Sequence, residues 1–408
     1  MKVLAIAYAC EPGRGSEPGV GWNWVRLIAR TEGISVSVVT RKNNRSVIEK
    51  YYENHEKDDI DFLYYDLPQC ILRYKKRDKN IKIFYTLWQY GVIKYLKKHI
   101  DFEEYDYIWD FNFGSLGLPD FVYKLKKPYI IGPASTKESI PKSYIDNMSF
   151  KMKIKYKIQQ FMRVHLWINR FAWRTLKGAQ LIVTCNEMSR KYLPSGIKSV
   201  SVFHNGINEE DFAYCDVRQN QRDIVEFVYA GRLIYSKNIE IAIRAFSIVN
   251  KTHKNFKFEI YGEGNLEEKL VSTVKQFNLE DKVIFKGRVS QQELLDVYKE
   301  KDCFIFPSLL EISSTAVMEA MYFGLVPVCL DIPCMEYILD NDTVIKIDNC
   351  SPEEDAYNMA IQIKRILDDR ETLRTKKKRC HEIAKRQYLW NQKETSVNRI
   401  MRFLLEDD

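Results

Sequence analysis

Two glutamates eight positions apart, Glu311 and Glu319, bracket the hydroxyl run Ser313-Ser314-Thr315. An ionised carboxylate accepts two or more strong O–H···O hydrogen bonds, so a pair of them suits the hydroxyls of a polyol. The run between them suits the opposite partner. If it opens a helix, the free N–H groups of the first turn and the positive dipole end favour a phosphate ester, and the three hydroxyls add donors. Phosphate and polyol held on one element describe a nucleotide sugar. The plainer alternative is a helix cap at Glu311 or the serines, with Glu319 a solvated helix residue. A second group of polar residues lies upstream in Gly231-Arg232-Leu233 and Lys237-Asn238. Arginine grips a diphosphate with a planar fork and lysine neutralises it as a point charge; the alternative is a pair of surface cations.

The elements that must position these groups are legible around them. Residues 303–306 form an apolar strand that stops at Pro307, which cannot donate to a central ladder. Residues 316–321 read as a helix halted by Gly324 and Pro327, and 327–330 as a second buried strand. This places Glu311 before the helix and Glu319 about two turns in, along its face. The cations follow another apolar strand, 225–230, at the entrance of a helix over 239–250.

Glu311, seven residues and Glu319, followed by Ala-Met, Gly324 and Val-Pro-Val, resemble the E-x7-E signature of retaining glycosyltransferases of family 4, which have the GT-B fold. The resemblance implies that Glu319 holds the donor ribose and Glu311 contacts the donor sugar. It makes Gly231, Arg232 and Lys237 the diphosphate clamp and Ser313, Ser314 and Thr315 further donor contacts. Ile260-Tyr261-Gly262-Glu263-Gly264 and Phe285-Lys286-Gly287-Arg288-Val289 match further family positions, so Gly262, Arg288 and Val289 join the donor site, the last two beside the nucleobase. In the first half, the glycine-rich loop 10–22, with Gly19, resembles the loop that faces the donor diphosphate. Where family members often carry a histidine, this chain has Trp109-Asp110-Phe111-Asn112. Asp110 is the catalytic candidate there, or a buried structural acid. The loop 132–138 resembles a family loop near the acceptor, and His204-Asn205-Gly206-Ile207-Asn208 the segment where the chain leaves the first domain.

The wider sequence alternates strands and helices from the start. Strands are expected at 3–9, 36–40, 61–67, 107–113, 129–131, 181–183 and 200–203, with helices at 22–30, 83–100, 149–177 and 187–193. Such alternation means parallel sheets covered by helices. The glycine spacing after the first strand is not the dinucleotide fingerprint, and the next strand ends at Thr40-Arg41-Lys42 without an acid, which disfavours a dehydrogenase. The expected architecture is α/β: a GT-B chain of two Rossmann-like domains facing across a cleft. The first spans 1–207, a linker 208–223, the second 224–385, and a C-terminal helix over 386–408 packs back on the first.

The 408 residues carry a net charge of +8, divided unevenly: 34 Lys and Arg against 23 Asp and Glu up to residue 215, and 29 against 32 beyond it. The basic runs, among them Lys-Met-Lys-Ile-Lys-Tyr-Lys at 151–157, fit an anionic membrane surface or an anionic acceptor. No recognition motif accompanies them, so nucleic acid is not an expected partner. Nine cysteines without a Cys-x-x-Cys pair point to reduced thiols in a cytoplasm and away from zinc. Met1-Lys2 leads straight into a strand, so no signal peptide is expected, and no apolar run is long enough to span a bilayer.

The reading is a cytoplasmic glycosyltransferase, peripheral at the inner membrane face. It moves a sugar from a nucleotide-diphosphate sugar to a saccharide or lipid-linked saccharide acceptor of the capsule or O-antigen type, with retained configuration. No metal and no other cofactor are expected. The alternatives are another GT-B activity such as a nucleotide-sugar epimerase, and a non-catalytic sugar-nucleotide or membrane-docking module.

Overall fold

Val3 to Ala7 are almost completely buried, and a strand without polar alternation belongs in a parallel sheet covered on both faces. The computed structural model bears this out. It describes residues 1–75, 80–111, 113–136, 139–212, 223–332, 343–348 and 350–405. The first sheet comprises β1 (Lys2–Ala7), β2 (Ser35–Arg41), β3 (Ile60–Tyr65), β4 (Tyr107–Phe111), β5 (Tyr129–Ala134), β6 (Leu181–Thr184) and β7 (Ser199–Ser201). Its spatial order is β3-β2-β1-β4-β5-β6-β7 and its pairings are parallel. The helix Ser16–Arg30 packs Trp22, Trp24 and Ile28 on one face, and the helix Ile81–His99 packs Tyr85, Trp88 and Val92 on the other.

The second sheet comprises β8 (Val225–Ala230), β9 (Phe256–Tyr261), β10 (Val283–Gly287), β11 (Cys303–Phe306), β12 (Val326–Leu330) and β13 (Ile345–Ile347). It is again parallel, in the order β10-β9-β8-β11-β12-β13. In each sheet the winding reverses once, between β1 and β4 and between β8 and β11. Such a reversal leaves a crevice at the carboxyl ends of the two strands, where ligands of doubly wound sheets bind.

The chain divides into two compact units: Met1–Lys137, Lys155–Asn205 and Trp390–Asp408 form one, Glu138–Ile154 and Gly206–Leu389 the other. The second unit thus takes in a stretch from the middle of the first half. Tyr144 anchors it there, donating from its hydroxyl to Asp355 and accepting from the Tyr235 hydroxyl at its carbonyl. The single helix expected over 149–177 is instead two, Phe150–Val164 and Arg170–Gly178. Asn169 divides them: its side chain accepts from the N–H groups of Phe171 and Ala172, capping a new helix, and donates to Gly117 O at 3.0 Å. No described helix is long and apolar enough to cross a membrane.

Candidate functional site

The residues singled out in the second half gather at its switch point. β8 ends at Ala230 and runs into Gly231-Arg232-Leu233 and the turn Tyr235–Lys237; β11 ends at Phe306 and runs into 307–314. The two loops are tied by the Leu309 N–H, which donates to Ser236 O at 2.9 Å. The Ser308 hydroxyl lies 3.2 Å from the same carbonyl and 3.0 Å from Glu311 Oε1. Lys237 forms an ion pair with Glu311, and its ammonium lies 5.5 Å from the centre of the Phe306 ring. Both side chains are less than one-fifth exposed. Lys237 and Glu311 therefore meet each other, flanked by the Phe306 ring at the end of β11 and by Ser308 just after it. Arg232 stands at the rim with its side chain in solvent.

Glu319 lies on the helix Thr315–Tyr322, whose N-cap is the buried Ser314; Ser313 and Thr315 are half-buried beside it. The apolar side chains Val317, Met318, Ala320 and Met321 pack this short helix into the core, which fixes where its first turn points. Glu319 is only 7% exposed, a burial that rules out the solvated-helix alternative. Gln291 Nε2 donates to its Oε1 at 3.2 Å. Gln291 opens the helix Gln291–Tyr298, whose Ser290–Glu293 capping box sets its start directly after Val289. The loop of Arg288, which is exposed, and Val289, which is half-buried, is thus joined to the second glutamate by one amide.

The ends of β8, β9 and β10 are also zipped together. Gly231 N donates to Tyr261 O at 3.0 Å, Leu233 N to Glu263 O at 2.9 Å and Gly262 N to Gly287 O at 2.8 Å. Gly262 has φ +128°, and a Cβ there would lie 1.9 Å from the Gly231 carbonyl oxygen. Glycine is required at 262 for backbone to lie on backbone. The segments with Gly231, Gly262, Arg288, Arg232, Lys237, Glu311, Ser313, Ser314, Thr315 and Glu319 accordingly share the carboxyl end of one sheet.

Two first-half candidates, Gly19 and Asp110, sit in the other unit. Gly19 lies in the first turns of the helix Ser16–Arg30, where a Cβ would fall 1.8 Å from the Arg14 carbonyl oxygen. Its small size lets the loop fold back on the helix, which accounts for the residue without a ligand. Asp110 departs from the catalytic expectation. It lies on β4, fully buried, within hydrogen-bond reach of Gln89 Nε2 (3.3 and 3.4 Å) and bonded to the buried Asp120. Burial first, and the neighbouring Asp120 second, hold its carboxyl protonated far above the usual carboxylate range. It is the buried structural acid of the two alternatives. Asn112, Lys137 and Glu138 lie outside the described residues.

Sequence reasoning missed Ser308 and Gln291. Ser308 could have been noticed as the first hydroxyl after the strand, and Gln291 through the Ser-x-x-Glu capping signal that opens its helix. Among the described residues no group of three His, Cys, Asp or Glu side chains could hold a metal ion.

Comparison with known proteins finds one family, two curated relatives and one solved structure to set beside this geometry. Residues 217–387 match the family described as glycosyl transferases group 1. Glycogen synthase from Mycobacterium tuberculosis is 25% identical over 199 residues, 48% of this chain and 47% of that protein. The gpi3 subunit of phosphatidylinositol N-acetylglucosaminyltransferase from Schizosaccharomyces pombe is 26% identical over 207 residues, 51% of this chain and 44% of that one. The chain thus spans about half the length of the curated relatives it matches. Among solved structures, sucrose-phosphate synthase from Thermosynechococcus elongatus superposes over 100% of both chains with a TM-score of 0.68 at 16% identity. At that identity the likeness establishes the GT-B fold alone.

Proposed function

We propose, from the premise that residues 217–387 are a group 1 glycosyltransferase domain, that the protein transfers a sugar from a nucleotide-diphosphate sugar to a saccharide acceptor with retained configuration. The observation that carries this reading is the grouping of Arg232, Lys237, Glu311, the Ser313–Thr315 turn and Glu319 at one switch point. In the proposed complex the diphosphate lies against Lys237, Arg232 and the first turn of the helix Thr315–Tyr322. Preorganised charge of this kind acts most strongly on the negative charge that builds on the leaving group. Glu319, held by Gln291, accepts the ribose hydroxyls, and the loop at Arg288 and Val289 borders the base. Glu311 meets the donor sugar, and its pairing with Lys237 sets the distance between sugar and diphosphate.

None of these carboxylates is assigned a covalent role. The acceptor oxygen attacks the anomeric carbon on the face the diphosphate leaves, the C–O bond to the diphosphate breaks, and the leaving phosphate oxygen takes the acceptor's proton. The cations present offer the charge neutralisation that a metal would otherwise supply, so the reaction is proposed to run without one. The acceptor is proposed to be a lipid-linked saccharide at an anionic membrane surface. The lysine-rich first half supports this, as does the name of the Schizosaccharomyces pombe relative, a subunit of phosphatidylinositol N-acetylglucosaminyltransferase.

A screen of nucleotide sugars for release of nucleoside diphosphate tests the reading, run with EDTA and with and without saccharide acceptors. Acceptor-dependent release that survives EDTA is expected. Epimerised donor in the absence of acceptor would replace the assignment by an epimerase. Tight nucleotide binding with no turnover on any acceptor would make the protein a non-catalytic module. Restoration by Mg²⁺ after loss in EDTA would overturn the metal-free mechanism.

A further inference from the structure

The helix Phe150–Val164 is amphipathic in the wrong sense for a globular protein. From residue 155 onward, where it belongs to the first unit, Tyr156 and Gln160 are its partly covered positions, while Ile158, Phe161 and Met162 point to solvent. A surface helix ordinarily buries its apolar stripe and exposes its polar face. The exposure continues past its end with Trp167, Ile168 and Phe171. A second apolar row at helical spacing, Ile83, Leu87 and Tyr90, is exposed on the helix Ile81–His99. Side chains in both sets are 40–60% exposed. Aromatic rings join them: Tyr90 to Phe121 at 5.5 Å and Phe121 to Phe171 at 5.1 Å between centroids.

The segments that carry these rows have charge of one sign. Segments 81–100 and 147–186 hold 12 Lys and Arg residues and no Asp or Glu. Lys155 and Lys157 are exposed on the apolar helix itself. Lys94 lies 4.4 Å from the Tyr90 ring centre and Lys124 4.9 Å from that of Phe121, so cations edge the aromatics. Large apolar side chains ringed by long-stemmed cations match the boundary layer of a bilayer. There the apolar groups enter the acyl edge while the ammonium groups reach up to anionic headgroups. A soluble acidic protein would satisfy the cations but would have to supply a matching apolar groove.

We infer that this face of the first unit, built by Ile158, Phe161, Met162, Trp167, Ile168 and Phe171 and the exposed row of the helix Ile81–His99, docks on anionic lipid bilayers. The inference takes its choice of a lipid partner from the lipid-linked acceptor reading, but nothing in it depends on the transfer reaction. Flotation of the full chain with phosphatidylcholine vesicles, with and without phosphatidylglycerol, tests it. The parent should partition to the anionic vesicles and be released by salt. A triple Ile158→Ser, Phe161→Ser, Met162→Ser variant should lose about tenfold or more in partitioning, since three buried apolar side chains are removed from the lipid boundary. A Lys155→Gln, Lys157→Gln variant should lose roughly tenfold at low salt and little at high salt. Calorimetry with a nucleoside diphosphate should give the same affinity for all three proteins, which checks their folding and separates this inference from the donor site. Equal binding to neutral and anionic vesicles, or a triple variant that partitions like the parent, overturns the proposal. A parent that self-associates in solution and a triple variant that does not would show the face to be an interface between copies instead.

Discussion

Glu311 and Glu319 are alike in the sequence and unlike in their surroundings. Glu319 is 7% exposed and fixed by the Gln291 amide, whereas Glu311 shares Lys237 and Ser308 with the end of β11. Glu319→Gln exchanges a charged acceptor of hydroxyls for a neutral amide, a loss of roughly 1–3 kcal/mol or one to two decades in nucleoside diphosphate affinity. Glu311→Gln removes the charge paired with Lys237 and the proposed contact to the transferred sugar, and should depress turnover while Lys237 remains to hold the diphosphate, so that nucleoside diphosphate affinity is retained. Calorimetry beside turnover on the full donor separates the two; the opposite pattern would exchange their roles. Asp110 carries a different expectation. It shares a hydrogen bond with Asp120 as the protonated partner, so asparagine can donate to Asp120 and accept from Gln89 in its place. Its folded carboxyl binds a proton over a range in which the unfolded one, near 3.8, has lost it. The stability it contributes is therefore present at low pH and lost as pH rises through the folded value. Asp110→Asn should retain turnover and lessen the fall in stability as pH rises through that range, from about 3.8 up to the folded value, in urea unfolding. Lost turnover in a folded variant would return Asp110 to the catalytic machinery.

At the scale of elements, the sequence made the strands visible because β1 from Val3 onward, β11 and β12 are apolar throughout and β8 is interrupted only by Glu226, with Gly231 and Pro307 ending β8 and β11. Glu311 and Glu319 were legible because a spacing within one strand–turn–helix unit survives in the linear order. What joins separate units was not. The adjacency of β8 and β11, which brings Lys237 to Glu311, depends on pairing Phe227 with Cys303, 76 positions later. Nothing in either strand names its neighbour. Gln291 reaches Glu319 from a third element for the same reason. The sequence left Asp110 open between a site residue and a buried acid, because a carboxylate at a strand end looks the same in either role until Gln89 and Asp120 are seen beside it. The break at Asn169 is a different failure: a cap residue stood in plain sight, and an apolar periodicity that continued across it concealed a change of direction.

For the whole molecule, the core of the first unit is completed by the last residues of the chain. Trp390 packs edge-on to Trp24 at 6.4 Å, and Val397, Ile400, Met401 and Leu404 share a core with Trp22 and Ile28. The expectation of a C-terminal helix for the first domain followed from the family resemblance, and Trp390–Asp408 is part of that compact unit. The joint holds an unusual group. Lys393 is 4% exposed, donates to Phe203 O at 3.2 Å and lies 4.2 Å from the Phe203 ring centre. Burial lowers its pKa from 10.5 to about 7. Below pH 7 both folded and unfolded chains carry the proton, and the folded chain bears the full cost of a buried ammonium. Between about 7 and 10.5 the unfolded chain binds a proton that the folded chain does not, so this group's contribution to stability rises with pH. The gap corresponds to on the order of 5 kcal/mol as an upper figure. Lys393→Met keeps the apolar stem and removes the charge. It should unfold at higher urea concentration than the parent at pH 6, and its advantage should shrink steadily as pH is raised to 9. An advantage that stays constant over that range would mean Lys393 does not titrate in the folded protein, and a variant less stable at every pH would make the bond to Phe203 O the larger effect.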